Sequence, residues 1–143
     1  MAPVNPSEPL QSPGAPGRPP VPGPELQVLV RRAARALGRH GLAHAYGHCS
    51  QRLDDRHFLV CAPRPMGMIE STDEGSVVDI DAELPPGVLG EVRIHREIYR
   101  NRPDVGGIVR SMPPRTGVPV RTARSRVLRG VCLLSTNCMT STR

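Results

Sequence analysis

Apolar residues recur at helical spacing in the first part of the chain. Between residues 25 and 39 they follow an i, i+3, i+4, i+7 pattern, and arginines fill the other positions. This pattern predicts an amphipathic helix. Pro24 suits the first turn of that helix, and Gly41 is a natural left-handed stop after it. The chain therefore has to turn sharply before its next element.

The following segments are short and resemble strands. Residues 46–53 and 58–61 predict two strands joined by the polar turn 54–57, which together form a hairpin. Further along, residues 77–80 predict a short strand and residues 106–110 predict a buried one.

Two more segments indicate helical structure. Residues 71–74 have the spacing of a capping box and predict a single helical turn. Residues 91–100 predict a second helix, because Ile94 and Ile98 are one turn apart and Pro103 ends the pattern. After residue 114 the pattern becomes weak, and we assign no structure there, although residues 127–128 and 131–134 could pair or pack.

Length and composition limit the size of the core. The chain has 143 residues, which is room for one ordinary domain. Aromatic residues make up only 2%, so the core has to be built from Leu, Val, Ile and Ala. Nine of the 17 prolines lie in residues 1–24, which predicts a disordered Pro-rich extension there.

The formal net charge of +6 is concentrated near the C-terminus. Residues 105–143 contain seven arginines and no acidic residue, and the chain has no lysine. Such a basic tail raises the alternative of nucleic-acid binding. Because no aromatic residue accompanies these arginines, we attribute them to compositional bias and expect no nucleic-acid partner. The loss of acids after Asp104 suggests the hypothesis of an altered or out-of-frame end.

The cysteines and the apolar segments indicate the cellular compartment in which the protein is expected. The four cysteines have neither CxxC nor zinc-finger spacing, and we expect free thiols. We find no leader-like segment and no apolar run of membrane-spanning length. The sequence therefore predicts a cytoplasmic protein without membrane association.

Three motifs, in residues 32–42, 47–53 and 91–105, resemble the class II aldolase/adducin N-terminal family. The resemblance covers about residues 25–114. It implies an α/β protein with a three-layer α/β/α class II aldolase-like fold, incomplete on its C-terminal side. Residues 1–24 would then be the extension, and residues 115–143 a basic tail of unknown structure.

The resemblance also implies a chemistry. The family's lyases carry out retro-aldol cleavage of small hydroxylated carbonyl compounds, with a divalent metal, usually zinc, on three histidines. Such a metal stabilises the enediolate left by C–C cleavage. Here the two positions of the family's His-x-His pair fall on Arg110 and Met112, and no histidine follows His95. We therefore expect no metal site and an impaired aldehyde-lyase.

Two residues are candidates for catalysis. Glu91 matches the family's carboxyl group that shuttles a proton; alternatively, it is a first-turn glutamate stabilised by the helix dipole. Arg110 could replace the metal as a fixed cation that pairs with a substrate carboxylate or polarises a carbonyl; alternatively, it forms an ordinary ion pair.

Four residues are candidates for substrate binding. Gly47 and His48 stand where the aldolases have Gly-Asn in a phosphate-binding turn, and Ser50 and Arg64 could contact an anion. The serines that the aldolases place before the catalytic glutamate are replaced by Leu89 and Gly90. The expected partner is a small carbonyl substrate rather than a phosphorylated sugar. We expect His95 to pack on its helix rather than to bind a metal.

The resemblance leaves a second class of function open. The family includes adducin-type interaction modules, so a non-catalytic binding module is the alternative to a lyase. We also expect a homo-oligomer, because half of a layered sheet has an unpaired edge and an uncovered apolar face.

Overall fold

The structure is a computed structural model that describes residues 19–43, 45–111, 127–128 and 131–135. Most of the Pro-rich extension, Met112 and most of the basic tail lie outside the described residues. For β5 and β6 below, only the backbone is described. The elements in chain order are α1 (Pro24–Arg39), β1 (His48–Arg52), β2 (His57–Val60), β3 (Ser76–Asp79), α2 (Arg93–Asn101), β4 (Gly107–Ser111), β5 (Val127–Leu128) and β6 (Val131–Ser135).

The strands form one mixed sheet in the order β3-β2-β1-β4-β6-β5. Strands β3, β2, β1 and β4 pair antiparallel, β4 and β6 pair parallel, and β5 pairs antiparallel with β6. The expected hairpin is confirmed as β1 and β2, with Ser50 opposite Val60. The possible pairing of residues 127–128 and 131–134 is confirmed, since the backbone of residues 127–128 and 131–135 extends this sheet.

The two helices lie on opposite faces of the sheet. On β2, Leu59 belongs to a buried cluster with Val30 and Ala34 of α1. Its neighbours Phe58 and Val60 belong to a second cluster with Tyr99 of α2. Because successive side chains of a strand point to opposite faces, the two clusters sit on either side of the sheet. This arrangement confirms the three-layer α/β/α expectation.

The ends of α1 follow from its sequence. Pro24 occupies the first turn, where its missing N–H costs no helical hydrogen bond. The helix ends before His40, and Gly41 then takes a φ of 67°, in the left-handed region that glycine adopts without strain. Both predictions for this helix are confirmed.

The helical turn expected at residues 71–74 is wrong. The structure has a turn at residues 71–72 and a 3₁₀ turn earlier, at Met66–Met68. The Asp73 carboxylate accepts hydrogen bonds from the Glu70 N–H at 2.7 Å and from Arg64 at 2.8 Å. Asp73 therefore closes a turn back towards Glu70 instead of starting a helix.

Neither described helix combines the length and the apolar character needed to cross a lipid bilayer. The second helix has only nine residues and is preceded by a 3₁₀ turn at Gly90–Val92. Its buried residues are His95 and Tyr99, whereas Ile94 is 40% exposed. The sequence predicted a buried face formed by Ile94 and Ile98. In the structure the buried face of α2 is formed by the next residue in each case, His95 and Tyr99.

Candidate functional site

A row of polar side chains projects from β1 towards α2. Residues 48, 50 and 52 alternate with residues 49 and 51, so His48, Ser50 and Arg52 share the face that α2 covers. His95 and Tyr99 are one turn apart on α2 and face this row. His48, Ser50, His95 and Tyr99 are all buried.

The buried polar groups form a continuous chain of hydrogen bonds. His48 Nδ1 lies 2.9 Å from His95 Nε2, and His95 Nδ1 lies 2.7 Å from Ser50 Oγ. Ser50 Oγ also lies 2.9 Å from the Tyr99 hydroxyl. A buried polar group without a partner is costly, so this chain allows four polar residues to occupy the sheet–helix interface.

Arg52 fastens the end of α2 to the same strand. Its guanidinium donates to the backbone carbonyls of Tyr99 at 2.8 Å, Arg102 at 3.0 Å and Val105 at 2.9 Å. It also lies over the Tyr99 ring, 4.6 Å from the centroid, at a distance typical of cation–π contacts. The last carbonyls of a helix have no hydrogen-bond donors within the helix, and the Arg52 guanidinium provides such donors here.

Both imidazoles of the row are neutral at pH 7. Burial, with a smaller effect from the positive charge of Arg110, lowers the pKa of His48 to about 4, and the negative charge of Glu91 opposes the shift. Burial also lowers the pKa of His95 well below its usual value, and His48 and Arg110 add to that effect. These two rings therefore act as neutral hydrogen-bonding groups.

Arg110 is directly opposite His48 in the pairing of β4 with β1. Its Nη1 donates to the Tyr46 carbonyl at 3.0 Å. Its Nε is buried and has no hydrogen-bond partner among the described residues. The guanidinium is therefore anchored at one nitrogen and leaves another donor unused.

Glu91 lies in the 3₁₀ turn that leads into α2, and its side chain is exposed. Among the described residues, no Arg or His nitrogen lies within 4 Å of its carboxylate. Its negative charge nevertheless raises the pKa of His48. The structure thus brings Glu91, Arg110 and His48 into one neighbourhood, with a free carboxylate, a cation and a neutral imidazole. Met112, the remaining residue of the expected site, lies outside the described residues.

The other predicted binding residues are placed differently. Gly47 is buried at the start of β1, where an added Cβ would lie 3.2 Å from the Arg110 carbonyl oxygen. The Ser50 hydroxyl already bonds to two side chains of α2, so it faces the interior of the protein. Arg64 is exposed and pairs with Asp73 at 2.8 Å. Of the four, Gly47 and His48 lie beside Arg110.

A small cleft opens next to His48. It has about 10 Å³ of room for the centre of a water molecule, which is roughly what one water requires. Its lining is mainly apolar and comprises His48, Val60, Cys61, Ala62, Pro63, Ser76, Val88, Leu89 and Val92. His48 is one of the polar residues that line this cleft. Its Nε2 atom is buried and has no hydrogen-bond partner among the described residues.

Tyr99 was not predicted as part of the site, and His95 was predicted only to pack on its helix. A signal was available, because polar residues at alternating positions 48, 50 and 52 share one face of a predicted strand, and helices cover both faces of the sheet in the three-layer fold that the resemblance implies. A histidine and a tyrosine one turn apart on the following helix could supply those partners.

The described residues do not fit a divalent metal at the family's position. Arg110 carries a positive charge and has no lone pair to donate, so it repels a cation. His48 Nδ1 and His95 Nε2 already bond to each other. In residues 19–43, 45–111 and the last two strands, no group of three His, Cys, Asp or Glu side chains could hold a metal ion.

Comparison with known proteins identifies relatives of this chain. A curated relative, the 3,4-dihydroxyphthalate decarboxylase of Arthrobacter keyseri, is 30% identical over 99 residues, which cover 60% of this chain and 40% of that protein. The crystal structure of L-fuculose-1-phosphate aldolase from Thermus thermophilus is similar, with a TM-score of 0.54 and 25% identity. This match covers 63% of this chain and 47% of the aldolase.

The chain thus spans less than half the length of either relative. The model of the class II aldolase and adducin N-terminal domain matches residues 28–130, well over half of the sequence. The α/β/α layers agree with the likeness to the solved aldolase. The chain belongs to the class II aldolase and adducin N-terminal domain family.

Proposed function

We propose that this protein is an aldehyde-lyase of the class II aldolase type, directed at a small hydroxylated carbonyl compound, whose C–C cleavage is impaired. Its relatives are named as a decarboxylase and an aldolase, and both names describe cleavage of a carbon–carbon bond. The single observation that carries the proposed impairment is Arg110, a cation paired across the sheet with His48 at the expected metal-ligand position.

The residues present support only part of a retro-aldol reaction. Glu91 has a solvent-exposed carboxylate that can take a proton from a substrate hydroxyl or return one to a carbanion. Arg110 can stabilise part of the negative charge on an enediolate oxygen. A guanidinium spreads its charge over three nitrogens, whereas a divalent metal concentrates two charges on one Lewis acid. We therefore expect substrate binding with little or no turnover.

Metal content and activity test this proposal together. The purified full chain is expected to contain no stoichiometric zinc and to cleave neither L-fuculose 1-phosphate nor 3,4-dihydroxyphthalate above the rate in buffer. A double variant, Arg110→His with Met112→His, recreates the His-x-His pair and is expected to retain more zinc than the original chain. Zinc-stimulated cleavage by the original chain that is lost in Glu91→Gln would contradict the impairment.

The assembly and the compartment are also part of the proposal. Among the described residues, the large apolar side chains that are more than half exposed are Val21, Leu29, Tyr46 and Met68. A homo-oligomer that covers them is part of the proposal, and light scattering of the purified chain will measure the oligomeric state. Cys49 on β1 and Cys61, directly after β2, are free thiols, which agrees with a reducing compartment such as the cytoplasm.

A further inference from the structure

Two buried side-chain nitrogens near the candidate site lack a hydrogen-bond partner in the part of the chain that the structure describes. They are His48 Nε2 and Arg110 Nε. Leaving a buried polar atom unpaired costs about 1–3 kcal/mol. Two such atoms on directly paired residues therefore point to a ligand that completes them.

The two nitrogens belong to neighbouring side chains. His48 on β1 pairs directly with Arg110 on β4, and directly opposed residues of an antiparallel pair project from the same face of the sheet. The guanidinium charge of Arg110 also acts on the His48 ring. His48 is 1% exposed and lines the small cleft, so its Nε2 is a buried group at the wall of that cleft.

The chemistry of the pair selects an anion. Arg110 Nε can only donate a hydrogen bond, and the guanidinium is positively charged. The neutral His48 ring also donates from Nε2 when its Nδ1 accepts a hydrogen bond from the Nε2–H of His95. The hydrogen-bond chain supports that tautomer when Tyr99 donates to Ser50, Ser50 donates to His95 Nδ1, and His95 Nε2 donates to His48.

We propose that Arg110 and His48 form a binding site for the carboxylate group of a small molecule. Two donors on adjacent side chains match the two oxygens of a carboxylate, one of them charge-assisted. The cleft beside His48 has room for about one water, which is the size of a single carboxylate oxygen. A phosphate presents more oxygens than this pair can satisfy. Glu91 is the nearby acid, and its exposed carboxylate remains available to a different part of the bound molecule.

This inference deepens the proposed function by naming a chemical group of its substrate, but the binding requires no turnover. Failure of the zinc and cleavage tests would therefore leave it intact, and its own failure would leave the impaired lyase intact. Both proposals involve Arg110. Zinc content and cleavage test the impaired lyase, whereas glycolate binding tests the carboxylate site.

Titration of the full chain with glycolate, followed by NMR of the histidine rings, tests the site. His48→Asn assigns the His48 resonances by their loss. We expect a saturable change at the His48 ring with glycolate and none with ethylene glycol, which is of similar size but uncharged. Inorganic phosphate is expected to bind at least about tenfold more weakly than glycolate, the effect of one charge-assisted hydrogen bond.

Three arginine variants locate the site. Arg110→Gln removes the charge and is expected to weaken glycolate binding by about tenfold or more. Arg110→Lys keeps the charge without the Nε–H, so its affinity should be intermediate. Arg32→Gln, at an exposed position of α1 on the other side of the sheet, makes the same change in net charge and should leave binding unchanged.

The proposal is overturned if glycolate leaves the His48 ring of the original chain unperturbed, or if phosphate binds as tightly as glycolate. It is also overturned if Arg110→Gln folds and binds glycolate with undiminished affinity. If that variant does not fold, the comparison of glycolate with ethylene glycol and phosphate on the original chain decides the outcome.

Discussion

His48 Nδ1 and His95 Nε2 lie 2.9 Å apart, and this contact joins the first residue of β1 to the first turns of α2. The two rings are tilted by 57°, with centroids 4.5 Å apart. Because both rings are buried and neutral, one donates its single N–H to the other's lone pair. The candidate site is therefore positioned by the same interaction that holds the helix to the sheet.

Removing the Ser50 hydroxyl will destabilise the fold. Ser50→Ala leaves His95 Nδ1 without its partner and takes one partner from the Tyr99 hydroxyl. We expect a loss of about 1–3 kcal/mol in the free energy of unfolding, measured by urea denaturation. Ser71→Ala, at an exposed turn position, is the control and should change stability by less than about 0.5 kcal/mol. Equal stability of the two variants would contradict a structural role for the hydrogen-bond chain.

The stability of the protein will fall with acidification below pH 6.5. The pKa of His48 is about 4 in the folded protein and about 6.5 in an unfolded chain. Between these two pH values the unfolded chain binds more protons than the folded protein does. The free energy of unfolding therefore increases as the pH rises and decreases as the pH falls. The full contribution of His48 is of order 3 kcal/mol. His95 acts in the same direction.

Urea denaturation at several pH values between about 4.5 and 7.5 measures this dependence. That range is chosen because most carboxylates remain ionised across it. His48→Asn is expected to reduce the slope relative to the original chain. A slope that is the same in both proteins would show that His48 does not titrate as proposed.

Most of the secondary structure could be predicted because local signals and tertiary packing agree. In α1, the apolar spacing, Pro24 and Gly41 all indicate the helix that the structure contains. In α2, the helix was predicted but its buried face was not. A pattern search counts His95 and Tyr99 as polar, yet both are buried because Ser50 and the neighbouring ring satisfy their polar atoms.

The candidate site was predictable only in part for a related reason. Sequence spacing places Glu91 at a helix start and Arg110 on a strand, but it does not show that β1 pairs with β4. That pairing joins residues 62 positions apart in the sequence, His48 and Arg110, and only the three-dimensional structure reveals that both have an unpaired nitrogen among the described residues. For β5 and β6 the sequence showed only that their apolar residues could pair or pack, because those few residues have no clear period.

Cys61 will react with electrophiles faster than Cys49. The interaction between the two side chains lowers the pKa of Cys61 and raises the pKa of Cys49. The Cys61 sulfur also accepts a hydrogen bond from the Cys49 backbone N–H at 3.5 Å. Cys61 also lines the cleft beside His48. Because the thiolate is the reactive form, brief alkylation with iodoacetamide at pH 7 followed by peptide mass spectrometry should label Cys61 several-fold faster.

Cys49→Ala is the matched variant for this experiment. It removes the side-chain interaction that lowers the pKa of Cys61 but keeps the backbone N–H of residue 49, so the pKa of Cys61 should rise and its alkylation at pH 7 should slow. Preferential labelling of Cys49 in the original chain, or unchanged labelling of Cys61 in the variant, would refute this interpretation of the thiol pair.

Gly47→Ala will disturb the start of β1. A Cβ at this position would lie 2.5 Å from Ala43 Cβ and 3.1 Å from Met66 Sδ. We expect a loss of about 1–3 kcal/mol in the free energy of unfolding, typical of overpacking in a core. Gly90→Ala is the control, since no described atom lies within 4 Å of its added Cβ. Thermal and urea unfolding of both variants will measure the difference, and equal stability would contradict the close approach.

The three carbonyls held by Arg52 belong to the last turn of α2 and to the loop that leads into β4. The same side chain comes from β1, which pairs with β4. Opening of that loop therefore breaks contacts of the helix and of the central strands at once. The consequence is a cooperative unit: α2, β1 and β4 should lose protection from amide hydrogen exchange together, rather than by fraying of the helix alone.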